Sequence, residues 1–257
     1  MAMNKVKQLW AEDKPAINGW LAVPSGFAAE MMASAGWDSV TVDMQHGVQD
    51  YLSMVACFQG MQNRPVTPMV RVPWNEPGII GKALDGGAYG VICPMVNTRA
   101  EAEALVRYAK YPPHGARSNG PIRAGLYGTS TTYQQTANDE VLVIAMTETA
   151  EAIDNIDAIA STPGLSGVYI GPSDLGFSMG LVPILDREEP EILAAYEKVI
   201  AATRRHGIKA GVHCGSAAYA ARMAKMGFRL MTVGSDATFI AQGAQATVSA
   251  FREQAGR

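Results

Sequence analysis

At 257 residues, 48% of them hydrophobic, the chain is long enough for one large core, and a formal net charge of −3 at pH 7 leaves no polybasic face. That balance speaks against nucleic acid and anionic lipid as partners, and no run of about 18 apolar residues occurs that would cross a membrane. Cys57, Cys93 and Cys214 are scattered without a C-x-x-C pair, and MAMNKVKQLWAEDKP lacks a signal-peptide pattern, so the expectation is a cytoplasmic protein with reduced, buried thiols.

Eight short β-rich runs follow one another, separated by segments with apolar residues at helical spacing. INGWLAV from Ile17 leads to SGFAAEMMASAG, which Ser25 can cap and Gly36 can end. SVTVDM from Ser39, PVTPMVRV from Pro65 and GVICPM from Gly90 come next, the last followed by the helical TRAEAEALVRYAK. VLVIAMTE from Val141, GVYIG from Gly167, the helical EILAAYEKVIAATRRHG, IKAGVHC from Ile208, the helical SAAYAARMAKMG and LMTVG from Leu230 complete the series, with Gly207 and Gly227 at helix ends. Eight strand-helix units with strands apolar on both faces predict one domain over 1–257, a closed parallel (β/α)8 TIM barrel. An open doubly wound sheet is the alternative, weakened because no G-x-G-x-x-G follows the first strand.

Two stretches break this rhythm. YPPHGARSNGPIRAGLYGTSTTYQQTAND, from Tyr111, is rich in Pro, Gly, Ser and Thr and reads as a functional loop over the strand ends. GFSMGLVPILDREEP, from Gly176, delays the helix after the sixth strand.

In a parallel barrel the active site forms at the C-terminal ends of the strands. The polar residues expected there are Asp43 and His46 after strand two, Arg71 ending strand three, Glu148 ending strand five, Asp174 after strand six and His213 ending strand seven. Glu148 and Asp174 fall on neighbouring strands, and two carboxylates in a mostly apolar cup repel unless a cation lies between them. A divalent ion such as Mg²⁺ or Mn²⁺ answers this, its other positions going to water and substrate oxygen. A helix cap or an ion pair is the plain alternative for Glu148. YIGPSDLG, from Tyr169, passes from strand to helix at Pro172, leaving the amides of Ser173 and Asp174 free for a small anion. Arg71 can hold an oxyanion or form a salt bridge to Glu76 or Asp85. Asp43 can orient and polarise His46 as a proton relay, whereas either histidine, His46 or His213, can also be a neutral residue satisfied by its surroundings.

The ordered motifs D-x-x-H-G (Asp43 to Gly47), V-R-V-P-W-N-E-P (Val70 to Pro77), A-L-D-G-G-A (Ala83 to Ala88), Y-P-P-H-G-x-R-S (Tyr111 to Ser118), T-E-T (Thr147 to Thr149) and G-P-S-D-L (Gly171 to Leu175) resemble the class II, metal-dependent pyruvate aldolases. The resemblance covers nearly the whole chain and includes 4-hydroxy-2-oxoheptanedioate aldolase and 2-dehydro-3-deoxyglucarate aldolase. It implies that Glu148 and Asp174 hold a divalent metal, Mg²⁺ or Mn²⁺ with Co²⁺ and Zn²⁺ as further candidates, which the keto oxygen and carboxylate of the donor chelate. The segment Gly171, Pro172, Ser173 and Asp174 would bind that carboxylate, Arg71 would stabilise the enolate oxygen, and His46 with Asp43 would relay protons. The implied reaction is reversible addition of a pyruvate or hydroxypyruvate enolate to an aldehyde, with no Schiff-base lysine and no nucleotide. The resemblance further implies a homo-hexamer built as a trimer of dimers, the last helix exchanged between subunits, with Asp85 reaching a neighbour's active site.

Two positions depart from the family. Met146 stands where many relatives place Gln, and His213 where relatives often carry an aliphatic residue, so substrate preference is open and His213 is a candidate substrate contact. The competing readings are an acyl-CoA lyase of the malyl- or citryl-CoA type, a hydrolase barrel, disfavoured by the lack of H-x-H, and a non-catalytic barrel that binds a keto acid.

Overall fold

The computed structural model describes residues 4–127 and 130–257. Its elements run α1 (Lys5–Ala11), β1 (Ala16–Leu21), α2 (Gly26–Ala33), β2 (Ser39–Asp43), α3 (Tyr51–Met61), β3 (Thr67–Arg71), α4 (Pro77–Asp85), β4 (Gly90–Cys93) and α5 (Arg99–Ala109). They continue with α6 (Ser130–Glu140), β5 (Leu142–Met146), α7 (Ala150–Asp154), α8 (Ile156–Ala160), β6 (Gly167–Ile170), α9 (Pro172–Ser178), α10 (Pro190–Arg205), β7 (Lys209–Cys214), α11 (Ala217–Met226), β8 (Leu230–Val233) and α12 (Asp236–Gln254). The strands pair in parallel in chain order, and β8 closes on β1, so the eight expected runs form a closed barrel.

Local chemistry sets the boundaries. Ser25 accepts a hydrogen bond from the Ala28 amide at the start of α2, and Thr98 and Glu101 form a reciprocal capping box on α5, a device worth about 1 kcal/mol. Gly36, Gly207 and Gly227 all have positive φ, the backbone a helix exit of this kind requires.

Successive strand residues alternate between two cores. Met69, Ile92, Leu142, Ile144, Met146, Tyr169 and Leu230 belong to one apolar cluster, whereas Val70, Val91, Val143, Ala145 and Val168 belong to a second one with the helices. The first cluster therefore fills the barrel and the second lies between sheet and helices. Val6 and Trp10 of α1 join the inner cluster, and the Trp10 indole donates to the Arg229 carbonyl at 2.7 Å. Helix α1 thus stops the N-terminal mouth of the barrel.

The long segment from Tyr111 is not all loop. It contains a 3-10 turn, Ala124–Tyr127, and α6, which is polar enough to escape a hydrophobic pattern; Gly128 and Thr129 lie outside the described residues. The other interruption is irregular over residues 179–189, between α9 and α10, while residues 176–178 still belong to α9. Among the described residues no helix is long and apolar enough to cross a membrane, and the three cysteines are free and buried.

Candidate active site

Asp43 and Arg71 are register partners at the ends of β2 and β3, so their side chains leave the sheet on the same side, into the barrel mouth. The guanidinium grips the carboxylate by two bonds, Nε to Oδ1 at 2.8 Å and Nη2 to Oδ2 at 2.7 Å. Trp20 Nε1 donates to Oδ2 at 3.1 Å, and the backbone amides of Gln45 and His46 reach Oδ1. Burial alone would raise the Asp43 pKa, but the hydrogen bonds and charge of Arg71, helped by Trp20 and the His46 amide, hold it below the usual carboxylate value. Arg71 also lies over the Trp20 ring, 4.9 Å from its centroid, and its Nη1 faces the Met146 sulfur at 3.9 Å.

This arrangement corrects the expected dyad. Among the described residues the His46 ring makes no hydrogen bond to Asp43; only its backbone amide does. The carboxylate is already committed to a bidentate guanidinium directly opposite in register, a stronger partner than an imidazole on an exposed turn. Arg71 likewise pairs with neither Glu76 nor Asp85.

Glu148 follows β5 and is 2% exposed. Its Oε1 accepts from the Met95 amide at 3.1 Å, and Met95 takes φ of +56° to present it, an uncommon backbone for a residue with a side chain. Its Oε2 is buried without a hydrogen-bond partner. Burial first, and then the charge of Asp174, push the Glu148 carboxyl up to about 7 against the opposing pull of the Met95 amide and Arg71. A Cβ on Gly171 would collide with Oε2 and lie 2.6 Å from the Met146 methyl, so the strand end is pared back around the carboxylate. Asp174 sits in the first turn of α9, behind Pro172, and the amides of Ser173 and Asp174 have no intrahelical acceptor there.

An orphaned buried oxygen facing a second carboxylate fits a cation, which would satisfy the one and neutralise the repulsion of both. Among the described residues no third His, Cys, Asp or Glu completes a cluster. Glu148 and Asp174 would be the side chains to hold such a cation, and further positions around it would be open to small molecules.

His213 ends β7 on the inner side. Its Nδ1 lies 3.1 Å from the Tyr169 hydroxyl, and its ring meets Trp20 edge-on at 5.0 Å between centroids. Burial first, then the Arg71 cation, lower its pKa to about 4, so the ring is neutral at physiological pH. Tyr169 in turn donates to Thr232, which also accepts from Asn18, and Asn18 takes the hydroxyls of Ser39 and Thr41.

Asp85 stands apart from these residues. It ends α4, and a helix that follows a barrel strand ends at the opposite mouth. There it pairs with the buried Arg117 at 2.7 Å, and Arg117 lies over Tyr111. Lys209, the lysine within a strand run, pairs with Asp13 at 2.8 Å at the N-terminal end of β7.

Sequence reasoning passed over Trp20, Met95 and Tyr169. The alternation rule was the available signal for two of them, because it aims Trp20 and Tyr169 inward with Asp43 and Arg71; the Met95 amide leaves no mark in a sequence.

The profile of the HpcH/HpaI aldolase/citrate lyase family matches residues 19–242. The chain is 40% identical over 248 residues to a hydroxypyruvate/pyruvate aldolase of Rhizorhabdus wittichii, covering 96% of this chain and 98% of that one. It is 34% identical over 254 residues to a 4-hydroxy-2-oxo-heptane-1,7-dioate aldolase of Escherichia coli, covering 98% and 96%. Its fold superimposes on the crystal structure of a HpcH/HpaI aldolase/citrate lyase family protein from Burkholderia cenocepacia with a TM-score of 0.90 at 32% identity, over 97% and 99% of the two chains.

Proposed function

The chain belongs to the HpcH/HpaI aldolase/citrate lyase family, and from that premise we propose that it is a carbon-carbon lyase of the pyruvate aldolase type, dependent on a divalent metal. It adds the enolate of pyruvate or hydroxypyruvate to an aldehyde, and in reverse cleaves a 4-hydroxy-2-oxo acid. The single observation that carries the reading is the buried, unpartnered Oε2 of Glu148 beside Asp174, at the same rim as Arg71.

Glu148 and Asp174 would hold the metal, Mg²⁺ or Mn²⁺, whose Lewis acidity favours the enolate over the weakly acidic keto acid. The amides of Ser173 and Asp174, with Gly171 and Pro172 shaping the turn, orient the donor carboxylate. Arg71, fixed on one side by Asp43, turns its remaining edge toward the mouth and stabilises the oxyanion that develops at C2. His46 stands on the exposed turn after β2 and exchanges the proton at C3 and at the new carbinol oxygen. Asp43 acts here chiefly by setting Arg71, with the His46 backbone tied to the same carboxylate. Asp85 contributes only from a neighbouring subunit, in a homo-hexamer that the family resemblance implies.

Metal-stripped protein is incubated with pyruvate in deuterated water, and loss of the methyl proton signal is followed before and after Mn²⁺ or Mg²⁺. Exchange that needs metal and disappears in Glu148→Ala supports the reading. No exchange with pyruvate or hydroxypyruvate under any metal removes it and brings acyl-CoA cleavage forward.

A further inference from the structure

The barrel mouth contains one titratable ring whose tautomer is dictated from below. Tyr169 is fully buried, and its hydroxyl hydrogen goes to Thr232 at 2.6 Å. A hydroxyl has one hydrogen, so toward His213 the Tyr169 oxygen can only accept. The 3.1 Å contact therefore requires a proton on His213 Nδ1. The direction is reinforced further down: the Thr232 oxygen also accepts from the Asn18 amide, while the Asn18 carbonyl is occupied by the hydroxyls of Ser39 and Thr41. Neutral imidazole with Nδ1 protonated has a bare lone pair on Nε2. Among the described residues Nε2 has no hydrogen-bond partner, and His213 is only partly buried.

Resting on the aldolase reading above, we propose that His213 is a specificity-determining residue: its Nε2 accepts a hydrogen bond from the C3 hydroxyl of a 3-hydroxy-2-oxo acid donor. The donor is chosen over the aldehyde because Trp20 is the shared neighbour of His213 and Arg71, at 5.0 Å and 4.9 Å, and Arg71 takes the donor's C2 oxygen. The C3 hydroxyl, one carbon from the carbon that bears that oxygen, is the donor hydroxyl nearest to it. An acceptor without a hydrogen to give discriminates chemically: it rewards a donor O–H and offers nothing to the methyl of pyruvate. Tyr169, which never touches substrate, is a positioning residue that keeps the lone pair on the outward nitrogen.

The full-length protein with Mn²⁺ and propanal, an aldehyde without a hydroxyl, is assayed for kcat/KM with hydroxypyruvate and with pyruvate. Wild type, His213→Leu and Tyr169→Phe are compared, and a parallel arm holds pyruvate constant while glycolaldehyde replaces acetaldehyde. His213→Leu lowers the hydroxypyruvate to pyruvate ratio about tenfold, the weight of one hydrogen bond, and Tyr169→Phe lowers it by a smaller factor. The aldehyde ratio stays constant in both. Independently of turnover, nitrogen-15 spectra of the histidines show Nδ1 protonated and Nε2 bare at His213 in wild type, and this preference disappears in Tyr169→Phe. An unchanged donor ratio, a change confined to the aldehyde arm, or a proton found on Nε2 overturns the proposal. Wild type that turns over no donor at all would instead remove the aldolase reading beneath it.

Discussion

Arg71 and Asp43 face each other across a single strand boundary, joined Nε to Oδ1 at 2.8 Å and Nη2 to Oδ2 at 2.7 Å. Both are nearly buried, at 8% and 3% exposure, so neither charge is tolerable without the other. One edge of the guanidinium, Nε and Nη2, is fixed by the carboxylate, and Nη1 is left beside the Met146 sulfur, a weak acceptor that does not compete for an incoming oxyanion.

Asp43→Asn should therefore cost about 3 kcal/mol in chemical denaturation, because it strands a buried cation. Pairing it with Arg71→Met should recover much of that loss while leaving the protein inactive. The pH dependence has a definite sign. The folded Asp43 pKa lies below its ordinary value of 3.8, so its contribution is fully present above that value and is lost as pH falls through the lower, folded one. Equal acid sensitivity of wild type and Asp43→Asn would show that the pair is not a stabilising element.

Glu148 has the opposite sign. Its folded pKa, about 7, is above the ordinary 4.5, so the metal-free fold binds an extra proton between those values and becomes more stable as pH falls from 7 toward 4.5. Glu148→Gln removes the buried charge and should raise metal-free stability at pH 8 by about 1–3 kcal/mol. Metal competes with that proton, so apparent Mn²⁺ affinity should weaken about tenfold per pH unit below 7. Thermal shifts with and without Mn²⁺ at pH 6 and 8 measure both effects.

Gly171→Ala tests the fit around the carboxylate. The added methyl would collide with Glu148 Oε2 and crowd the Met146 methyl, so Glu148 must turn away. Mn²⁺ affinity and kcat/KM should each fall at least about tenfold, with a stability loss of about 1–3 kcal/mol from overpacking. Retention of both would mean that the carboxylate is free to move.

His46→Gln should separate proton transfer from folding. The ring is exposed on a turn and makes no bond to Asp43, so stability should change by no more than about 0.5 kcal/mol. Methyl-proton exchange of pyruvate in deuterated water should slow by about a hundredfold or more, the usual contribution of a general base. Unchanged exchange would hand the proton to another group at the rim.

Part of this site could be read along the chain and part could not. Asp43, Arg71, Glu148 and Asp174 were legible because each closes an apolar run or follows it within a few residues, and in a barrel run ends share one rim. The sequence offered the His46 ring as a partner for Asp43, since nearness in sequence favoured the imidazole three residues on. Its actual partner is 28 residues away and opposite only once β2 and β3 are in register. Helix α6 was missed for a related reason: a polar helix carries no hydrophobic period to announce it.

By itself the sequence determined the eight strand-helix units, their closure into a barrel, and the presence of two carboxylates just after neighbouring strands, because these follow from periodicity and from residue type at strand ends. Only the tertiary structure decided who bonds to whom. It committed Asp43 to Arg71, left Oε2 of Glu148 without a partner, drew Asp85 to the far mouth with Arg117, and put the Tyr169 hydroxyl 3.1 Å from His213 Nδ1. Those choices depend on strand register and on inward alternation, which align residues far apart in the chain and bury them where each polar atom must find a partner or remain an open valence for a ligand.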